Sequence, residues 1–366
     1  MSALLTLRLG TRRSALARTQ SQWVADRIEK AAADAGRSVR VELVDIVTHG
    51  DTSSAPLATL GGVGVFVSRL REALLAAEVD LAVHSLKDLP TAPAAGLVLA
   101  AVPIREDPRD VLVARDRLTL ATLPSGSRVG TGSPRRAAQL RAAGRASGRQ
   151  LDVVDVRGNV DTRLRLVADG RLDAVVLARA GLARLGRLEE ATEVLDPLVM
   201  LPAPGQGALA VKCRDPGASG GVGPESRAAV LAAVLAAVRP LDDPVTRAAV
   251  TAERRVLAAV EAGCSAPVGA LAHMVDGGDG SRLALRAVVA AVDGSAMVRR
   301  SLTGPADDPE GLGNAVAALL VEDGAGDLVP SRGAPAASRP GGGRGSAAPP
   351  PAESTTRMTR TEEGDQ

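Results

Sequence analysis

Three separated stretches of the sequence carry residue types that could perform chemistry together. The segment AVHSLKDLPT places Lys87 and Asp88 directly after a short apolar run. Far downstream, EAGCSAPVGA holds Cys264 in a glycine-flanked loop. Between them, VGTGSPRRAAQLR and DVRGNVDTRLR place arginines beside glycine turns, at Arg135, Arg136, Arg157 and Arg163. A carboxylate, a group of arginines and a lone thiol indicate acid–base chemistry on an anionic substrate, with a group attached to sulfur.

The arginines are predicted to lie where strands pass into helices. Ser133 and Pro134 have the residue types of an N-cap and a first helical position, so Arg135 and Arg136 fall in the first helical turn. Backbone N–H groups and guanidinium groups at such a turn both suit carboxylates or phosphates. Arg12 lies in a similar turn, GTRRSAL. The set indicates an anion cradle, and the alternative is a group of solvated surface arginines.

Asp88 has both a functional and a structural interpretation, and the two cysteines are predicted to differ in role. A carboxylate at a strand end in a cleft can hold a cationic nitrogen or move a proton, but an ordinary turn aspartate has the same local sequence. An accessible thiol at Cys264 could act as a nucleophile or an attachment point. Cys213, in the apolar run ALAVKC, is predicted to be a buried structural residue.

The composition limits the classes of function. Aromatic residues make up 1% of the 366 residues, which disfavours the stacking platforms used for single-stranded nucleic acid. The net charge is +2, so any anion site must be local. His49, His84 and His273 are scattered and the cysteines show no CxxC spacing, so no metal site is expected. Without a recognisable secretory signal or membrane-length apolar run, we expect a cytoplasmic protein with no nucleic-acid or membrane partner.

The hydrophobic pattern alternates between strands and helices, which predicts α/β layers with crossover helices. For example, a strand at 6–10 is followed by a helical pattern at 14–35, and the later helix at 245–261 opens a third segment. Polar or Pro/Gly-rich segments near 103–110 and 201–207 predict hinge crossings. The predicted domains are a first lobe (1–104 and 206–238), a second lobe (105–205), a C-terminal domain (239–325) and a disordered tail (326–366).

The sequence resembles the porphobilinogen deaminases, also called hydroxymethylbilane synthases. The resemblance covers roughly residues 4–320 and rests on blocks such as RLGTRRSALARTQ, DLAVHSLKDLPT, VGTGSPRRAAQL, DVRGNVDTRL, LPAPGQGALAV and EAGCSAPVGA. It implies two periplasmic-binding-protein-like α/β lobes with hinge crossings and a smaller α/β C-terminal domain. It also implies a transferase of heme and porphyrin biosynthesis. Such an enzyme condenses four porphobilinogen molecules into the linear tetrapyrrole hydroxymethylbilane, on a covalent dipyrromethane cofactor, with release of ammonia and final hydrolysis.

The resemblance also implies roles for individual residues and a monomeric state. It assigns the single thioether link of the dipyrromethane to Cys264, catalysis to Asp88 and a cleft position to Phe66. Many relatives carry lysines where this sequence has Thr59, Val63 and Ser68. The positions implied to bind cofactor or substrate are Arg12, Ser14, Gln20, Ser85, Lys87, Thr131, Ser133, Arg135, Arg136, Arg157, Gly158, Arg163 and Arg184.

A two-lobe solute-binding protein that closes on an anion is the alternative. Such a protein needs the lobes and the arginines, but it needs neither chemistry at Asp88 nor a thiol at Cys264. It would normally be exported, and the sequence begins with no recognisable signal. A DNA-binding regulator with a similar effector domain would need a helix-turn-helix module, which the sequence does not indicate.

Overall fold

The computed structural model describes residues 4–46, 64–218, 224–260, 267–277 and 280–328, with only the backbone described at 64–67, 218, 224–230, 277 and 280. The described residues form two five-stranded sheets and one three-stranded sheet, with helices packed on them. This is the mixed α/β architecture, with two lobes and a smaller C-terminal domain, that the sequence predicts. Among these residues, no helix has both the length and the apolar character that crossing a membrane requires.

The helices and strands follow one another in an order that alternates through the first two sheets. In chain order they are β1 (Leu5–Thr11), α1 (Ala15–Asp34), β2 (Val39–Asp45), α2 (Gly64–Leu75), β3 (Leu81–Ser85), β4 (Leu97–Ala101), β5 (Asp110–Ala114), β6 (Arg128–Gly130), α3 (Pro134–Ala146), β7 (Asp152–Val154), α4 (Val160–Ala168), β8 (Ala174–Ala178), α5 (Arg179–Arg184), β9 (Glu193–Val194), β10 (Leu209–Arg214), α6 (Pro224–Val238), α7 (Pro244–Ala259), β11 (Val268–Gly277), β12 (Gly280–Ala290), β13 (Met297–Pro305), α8 (Pro309–Glu322) and α9 (Ala325–Leu328).

The first sheet has the strand order β2-β1-β3-β10-β4. Strands β2 and β3 run parallel to β1, whereas β10 is antiparallel to both of its neighbours. Helix α1 begins after Ser14, whose hydroxyl accepts a hydrogen bond from the amide of Ala17, and it buries Val24 and Ile28 against the sheet. Because β10 follows the second sheet in sequence, the chain leaves the first sheet after β4 and later returns to it.

The second sheet has the order β7-β6-β8-β5-β9 and is buried on both faces. Along β5, Leu112 packs in one hydrophobic cluster with Leu140 of α3. Its neighbour Val111 packs in a separate cluster with Leu164 of α4. Successive strand residues point to opposite faces, so this sheet needs a helix on each side.

The third sheet is an antiparallel meander, β11-β12-β13, with α7 and α8 packed on it. Its core joins Val256 of α7, Leu285 of β12 and Val316 of α8, all fully buried. This hydrophobic core is separate from those of the first two sheets, as expected for a C-terminal domain.

The segments that cross between the first two sheets are held by a buried ion pair. Both guanidinium Nη atoms of Arg105 donate to the Glu253 carboxylate on α7, at 2.6 and 2.9 Å. The same carboxylate accepts from the backbone amides of Gly205 (2.7 Å) and Ala272 (2.8 Å). Arg105 Nε also donates to the carbonyl of Gln206 at 2.7 Å. Both crossings are therefore anchored to the C-terminal domain at one point.

Candidate functional site

The candidate catalytic carboxylate lies on a short, anchored turn. Strand β3 passes directly into a 3₁₀ turn, Leu86–Asp88. Leu86 is buried and its amide donates to the carbonyl of Ala208 at 3.0 Å, whereas Asp88 is exposed. Pro90 follows and cannot continue a helix, because its ring fixes φ and it has no N–H. The strand and its turn therefore hold the backbone of Asp88 in place, while its carboxylate remains exposed.

Lys87 connects this turn to the second sheet. Its Nζ donates to the side-chain oxygen of Gln206 at 3.2 Å, and Gln206 Nε2 donates to Asp110 at 2.8 Å. Burial lowers the pKa of Lys87 to about 8, and Arg136 adds to the decrease. The carboxylates of Asp88 and Asp110 act in the opposite direction. The Lys87 ammonium is therefore close to both carboxylates and loses its proton far more readily than an ordinary lysine.

Arg135 and Arg136, which we call the floor arginines, are fixed by a buried carboxylate. They are only 3% and 5% exposed. Arg135 lies 2.8 Å from Asp110 Oδ2 and also donates to the carbonyl of Leu201 at 2.6 Å. Arg136 donates to Asp110 Oδ1 at 2.7 Å and to the carbonyl of Val176 at 3.0 Å. Burial alone would raise the pKa of Asp110, but the two guanidinium groups outweigh it and hold that pKa well below its ordinary range.

The start of α3 differs in one detail from the sequence prediction. Ser133 is the N-cap residue and Pro134 opens the helix, as predicted, but the Ser133 side chain makes no capping hydrogen bond. Its backbone amide instead donates to the hydroxyl of Thr131, which is buried, at 3.2 Å. The Ser133 hydroxyl is therefore not used in fixing its own helix.

Arg157 and Arg163, which we call the rim arginines, are less constrained than the floor arginines. The Arg157 side chain is 50% exposed, and its Nε lies 3.4 Å from Asp155 Oδ2. Arg163 Nε donates to the carbonyl of Gly158 at 3.0 Å. Gly158 has a φ of +104°, and a Cβ there would approach Thr162 to 2.9 Å, so the turn requires glycine.

Arg163 also links the two lobes electrostatically. Burial lowers its pKa, and the nearby charge of Arg136 adds to that decrease. The carboxylate of Asp88, which belongs to the first lobe, acts on Arg163 in the opposite direction. The structure therefore brings the candidate catalytic carboxylate close enough to a rim arginine of the other lobe for their charges to interact.

The remaining predicted residues surround the same region. Arg184 donates to the carbonyl of Gly207 at 2.7 Å, and burial lowers its pKa to about 10. Gln20 and Ser85 share a hydrogen bond of 3.2 Å. The charge of Arg12 acts on His84, whose pKa is lowered to about 3 by burial first and then by Lys212 and Arg12. Ser14 is occupied in capping α1.

Several predicted positions lie outside the described residues or side chains. Cys264, Thr59 and Val63 fall outside the described ranges, as does most of the predicted tail, and only the backbone of Phe66 is described, within α2. The other cysteine lies within the described residues. Cys213 is fully buried in β10, and burial raises the pKa of its thiol to about 11. The prediction of a buried structural residue at Cys213 is confirmed.

Sequence reasoning missed Asp110 and Gln206, which join the turn that carries Asp88 to the floor arginines. Each of the two is 0% exposed. Asp110 had one local signal, since a carboxylate opens the otherwise apolar strand DVLVA. Gln206 lies in the PGQG crossing, where proline and glycine predict a hinge and the glutamine carries no local signal of its role. In the described part of the chain, no group of His, Cys, Asp and Glu side chains could hold a metal ion.

This arrangement suits a substrate that carries several carboxylates. The Lys87 ammonium of the first lobe and the Arg163 guanidinium of the second both lie near one exposed carboxylate, Asp88, which could stabilise a cationic ring or carry a proton. The floor arginines provide fixed positive charge, and the rim arginines provide donors that are still partly exposed.

Comparison with known proteins identifies relatives over most of the chain. Residues 7–219 match the family model for the porphobilinogen deaminase dipyromethane cofactor binding domain, and residues 247–322 match the porphobilinogen deaminase C-terminal domain. Porphobilinogen deaminase 1 of Streptomyces coelicolor is 55% identical over 331 residues, which cover 89% of this chain and 98% of that protein. Porphobilinogen deaminase of Nocardia farcinica is 51% identical over 352 residues, covering 95% and 94%.

Among solved structures, the periplasmic aliphatic sulphonate binding protein of Escherichia coli is a distant match. Its TM-score is 0.38 at 20% sequence identity, and the match covers 66% of this chain and 74% of that one. At this level the similarity supports no conclusion about function.

Proposed function

We propose that the chain, which belongs to the porphobilinogen deaminase family, condenses four porphobilinogen molecules into the linear tetrapyrrole hydroxymethylbilane and releases ammonia. It is thus a transferase of tetrapyrrole biosynthesis that works on a dipyrromethane primer. The observation that carries this proposal is the position of Asp88. Its carboxylate is exposed on an anchored turn, and its charge acts on Lys87 and on Arg163 of the opposite lobe.

The residues present fit a dipyrromethane group and its carboxylates. Arg135 Nε is buried and has no hydrogen-bond partner within the described residues, so the floor retains a donor. The Ser133 hydroxyl is not used as a cap, and Arg157 is half-exposed. We propose that these residues, together with Lys87 and Arg163, hold the cofactor and the growing chain. When bound, the dipyrromethane supplies the free pyrrole α-carbon at which the chain is extended.

Asp88 is proposed to carry the central step on the substrate. Loss of ammonia from porphobilinogen leaves an electron-poor methylene-pyrrole cation. A fixed carboxylate beside the ring nitrogen stabilises that charge more in the transition state than in the ground state, which lowers the barrier. The same carboxylate can pass protons as the amine leaves and as the new ring loses its α-hydrogen.

The cationic residues are proposed to orient the substrate by its acetate and propionate groups. Every porphobilinogen has two carboxylates, and a guanidinium group can hold one through two parallel hydrogen bonds. Arg12 and Arg184 extend the positive surface, and Gln20 and Ser85 contribute polar groups beside it. Because one carboxylate serves all four additions, the lobes must shift as the chain grows.

Attachment of the cofactor to Cys264 is tested by the mass of the intact protein. We expect the wild type to show a covalent adduct of dipyrromethane mass and a red colour with acidic aldehyde reagent. Cys264→Ser should lose both, because Cys213 is buried with a raised pKa and cannot replace it. The matched control, Cys213→Ser, should keep the adduct. A normal adduct in Cys264→Ser would exclude this attachment.

We also propose that the enzyme acts as a cytoplasmic monomer, without nucleic-acid or membrane partners. The support is the resemblance to the family, together with the low net charge. Sedimentation velocity of the loaded enzyme tests the monomeric state, and a stable dimer at micromolar concentration would contradict it. Cell fractionation tests the cytoplasmic location, and recovery of the enzyme outside the cytoplasmic fraction would contradict it.

A further inference from the structure

One arginine of the C-terminal domain holds the turn that carries Asp88. Arg254, on α7, donates from Nη1 to the carbonyls of Leu86 (3.2 Å) and Leu89 (3.0 Å). Its Nη2 donates to the carbonyl of Pro90 at 2.6 Å. Leu86 precedes Asp88 in the sequence, and Leu89 and Pro90 follow it. A single guanidinium group therefore binds the backbone on both sides of Asp88.

The turn itself supplies a donor to only one of these three acceptors. The carbonyl of Leu86 accepts from the amide of Leu89 at 3.1 Å, whereas the carbonyls of Leu89 and Pro90 lie beyond the 3₁₀ turn, which has no amide to offer them. Hydrogen bonds from a charged donor are shorter and stronger than those between neutral groups. The guanidinium of Arg254 therefore fixes a backbone that would otherwise depend on water.

Apolar packing reinforces the same contact. Val250, one helical turn before Arg254, is buried in one hydrophobic cluster with Leu86 and Leu89. Residues four apart lie on one face of a helix, so Val250 and Arg254 meet the turn together. Helix α7 thus contacts the catalytic turn through both an apolar and a polar side chain.

The same helix is anchored elsewhere in the molecule. Glu253, next to Arg254, holds Arg105 of one crossing and the amide of Gly205 in the other. The helix ends at Ala259, five residues before Cys264 in the sequence. One helix therefore connects the catalytic turn, both crossings and the stretch that leads to the cofactor cysteine.

We infer that Arg254 is a positioning residue for the condensation reaction. It holds the Asp88 carboxylate in one place relative to α7 while the lobes shift during chain growth. This inference rests on the proposed function, in which Asp88 is the catalytic carboxylate. Displacement of a reacting group by about 1 Å can cost roughly a hundredfold in rate, so loss of the tether should appear in kcat.

Arg255 provides a matched control on the same helix. Its Nε donates to Asn314 of α8 at 2.6 Å, on an exposed surface within the C-terminal domain. Arg254→Ala and Arg255→Ala remove the same side chain from adjacent positions, but only the first releases the turn. Arg254→Lys keeps the charge and can satisfy fewer of the carbonyls, so it should lie between Arg254→Ala and the wild type.

The experiment measures three properties of each cofactor-loaded variant. Porphobilinogen consumption gives kcat and KM, intact mass gives cofactor loading, and hydrogen exchange reports the amides of residues 81–89. For Arg254→Ala we expect kcat to fall about 10- to 100-fold, with KM within about threefold, normal loading and faster exchange confined to the turn. Arg255→Ala should match the wild type in all three.

Three results would overturn the inference. They are a kcat for Arg254→Ala within about threefold of wild type, unchanged exchange at the amides of 81–89, or loss of the adduct with unchanged exchange there. If Arg254→Ala does not fold, Arg254→Lys is judged by the same three measurements. Failure of the proposed function would look different, because the wild type itself would then carry no adduct and consume no porphobilinogen.

Discussion

The floor and rim arginines arise from similar sequence patterns but differ in how deeply they are buried and in what they pair with. In both, a strand ends, a glycine turn follows and a helix begins near the arginines. The floor arginines are buried and pair with the buried carboxylate of Asp110, whereas Arg157 is half-exposed and lies beside the exposed carboxylate of Asp155. The difference comes from one buried carboxylate on another strand. A local pattern therefore predicts where an arginine begins a helix, but its long-range partner decides whether that arginine is part of the fixed framework.

This difference indicates a division of roles. Removing a guanidinium group from water has a large free-energy cost unless the group is paired and hydrogen-bonded. The buried floor arginines must therefore keep their partners, and this fixes their geometry. Exposed pairs such as Arg157–Asp155 contribute little to stability and exchange partners readily. A fixed floor suits a permanently bound group, and an adaptable rim suits a chain that lengthens with each addition.

The largest effect on folding is expected from the carboxylate that defines the floor. Asp110→Asn keeps the size of the side chain but leaves two buried guanidinium groups without a counter-charge. We expect the free energy of unfolding to fall by about 3 to 5 kcal/mol. Asp155→Asn removes the exposed partner of Arg157 and should change it by no more than about 0.5 kcal/mol. Chemical denaturation measures both, and equal effects would show that floor and rim do not differ.

Substituting the arginines themselves should separate stability from binding. Arg157 is proposed to donate charge-assisted hydrogen bonds to the substrate, worth about 1.5 to 3 kcal/mol each, so Arg157→Leu should raise KM or impair cofactor assembly without lowering the melting temperature. Arg135→Leu should impair the same functions and also lower the melting temperature, because it breaks the buried pair with Asp110. Wild-type substrate affinity in both variants would contradict the anion cradle. A fall in melting temperature for Arg157→Leu as large as that for Arg135→Leu would contradict the comparison.

A smaller effect is expected from the pH dependence of Lys87. Its folded pKa of about 8 lies below its ordinary value of 10.5. Between these values the unfolded chain binds a proton that the folded chain has lost, so the contribution of this group to stability rises with pH. Substrate binding should instead weaken as the pH rises, because the ammonium charge disappears. The KM for porphobilinogen should therefore increase above about pH 8. Lys87→Arg keeps its charge, so an identical rise in that variant would assign the titration to another group.

Much of the fold could be predicted from local sequence. Periodicity at 14–35 predicts the helix found at Ala15–Asp34, and the third segment opens with the helix Pro244–Ala259 close to its predicted bounds of 245–261. Local rules succeed here because apolar spacing and capping residues act within one or two helical turns. The exact domain boundaries stay predictions.

The contacts that build the site could not be predicted in the same way. Arg105 and Glu253 are 148 positions apart, and Lys87 and Gln206 are 119 apart, so no local pattern connects them. The Ser133 prediction shows the same limit at shorter range. Its residue type places the helix start correctly, but the hydroxyl makes no capping hydrogen bond, although the Ser133 backbone amide donates to the hydroxyl of Thr131.

The central claim is that Asp88 is the catalytic carboxylate, and Asp88→Asn tests it most directly. The change keeps the size of the side chain and removes the charge on an exposed turn, so the protein should fold normally. The measurement is porphobilinogen consumed per unit time by enzyme whose dipyrromethane adduct has been verified by intact mass. We predict turnover at least about a hundredfold slower than wild type. Turnover within a few-fold of wild type would contradict the role of Asp88.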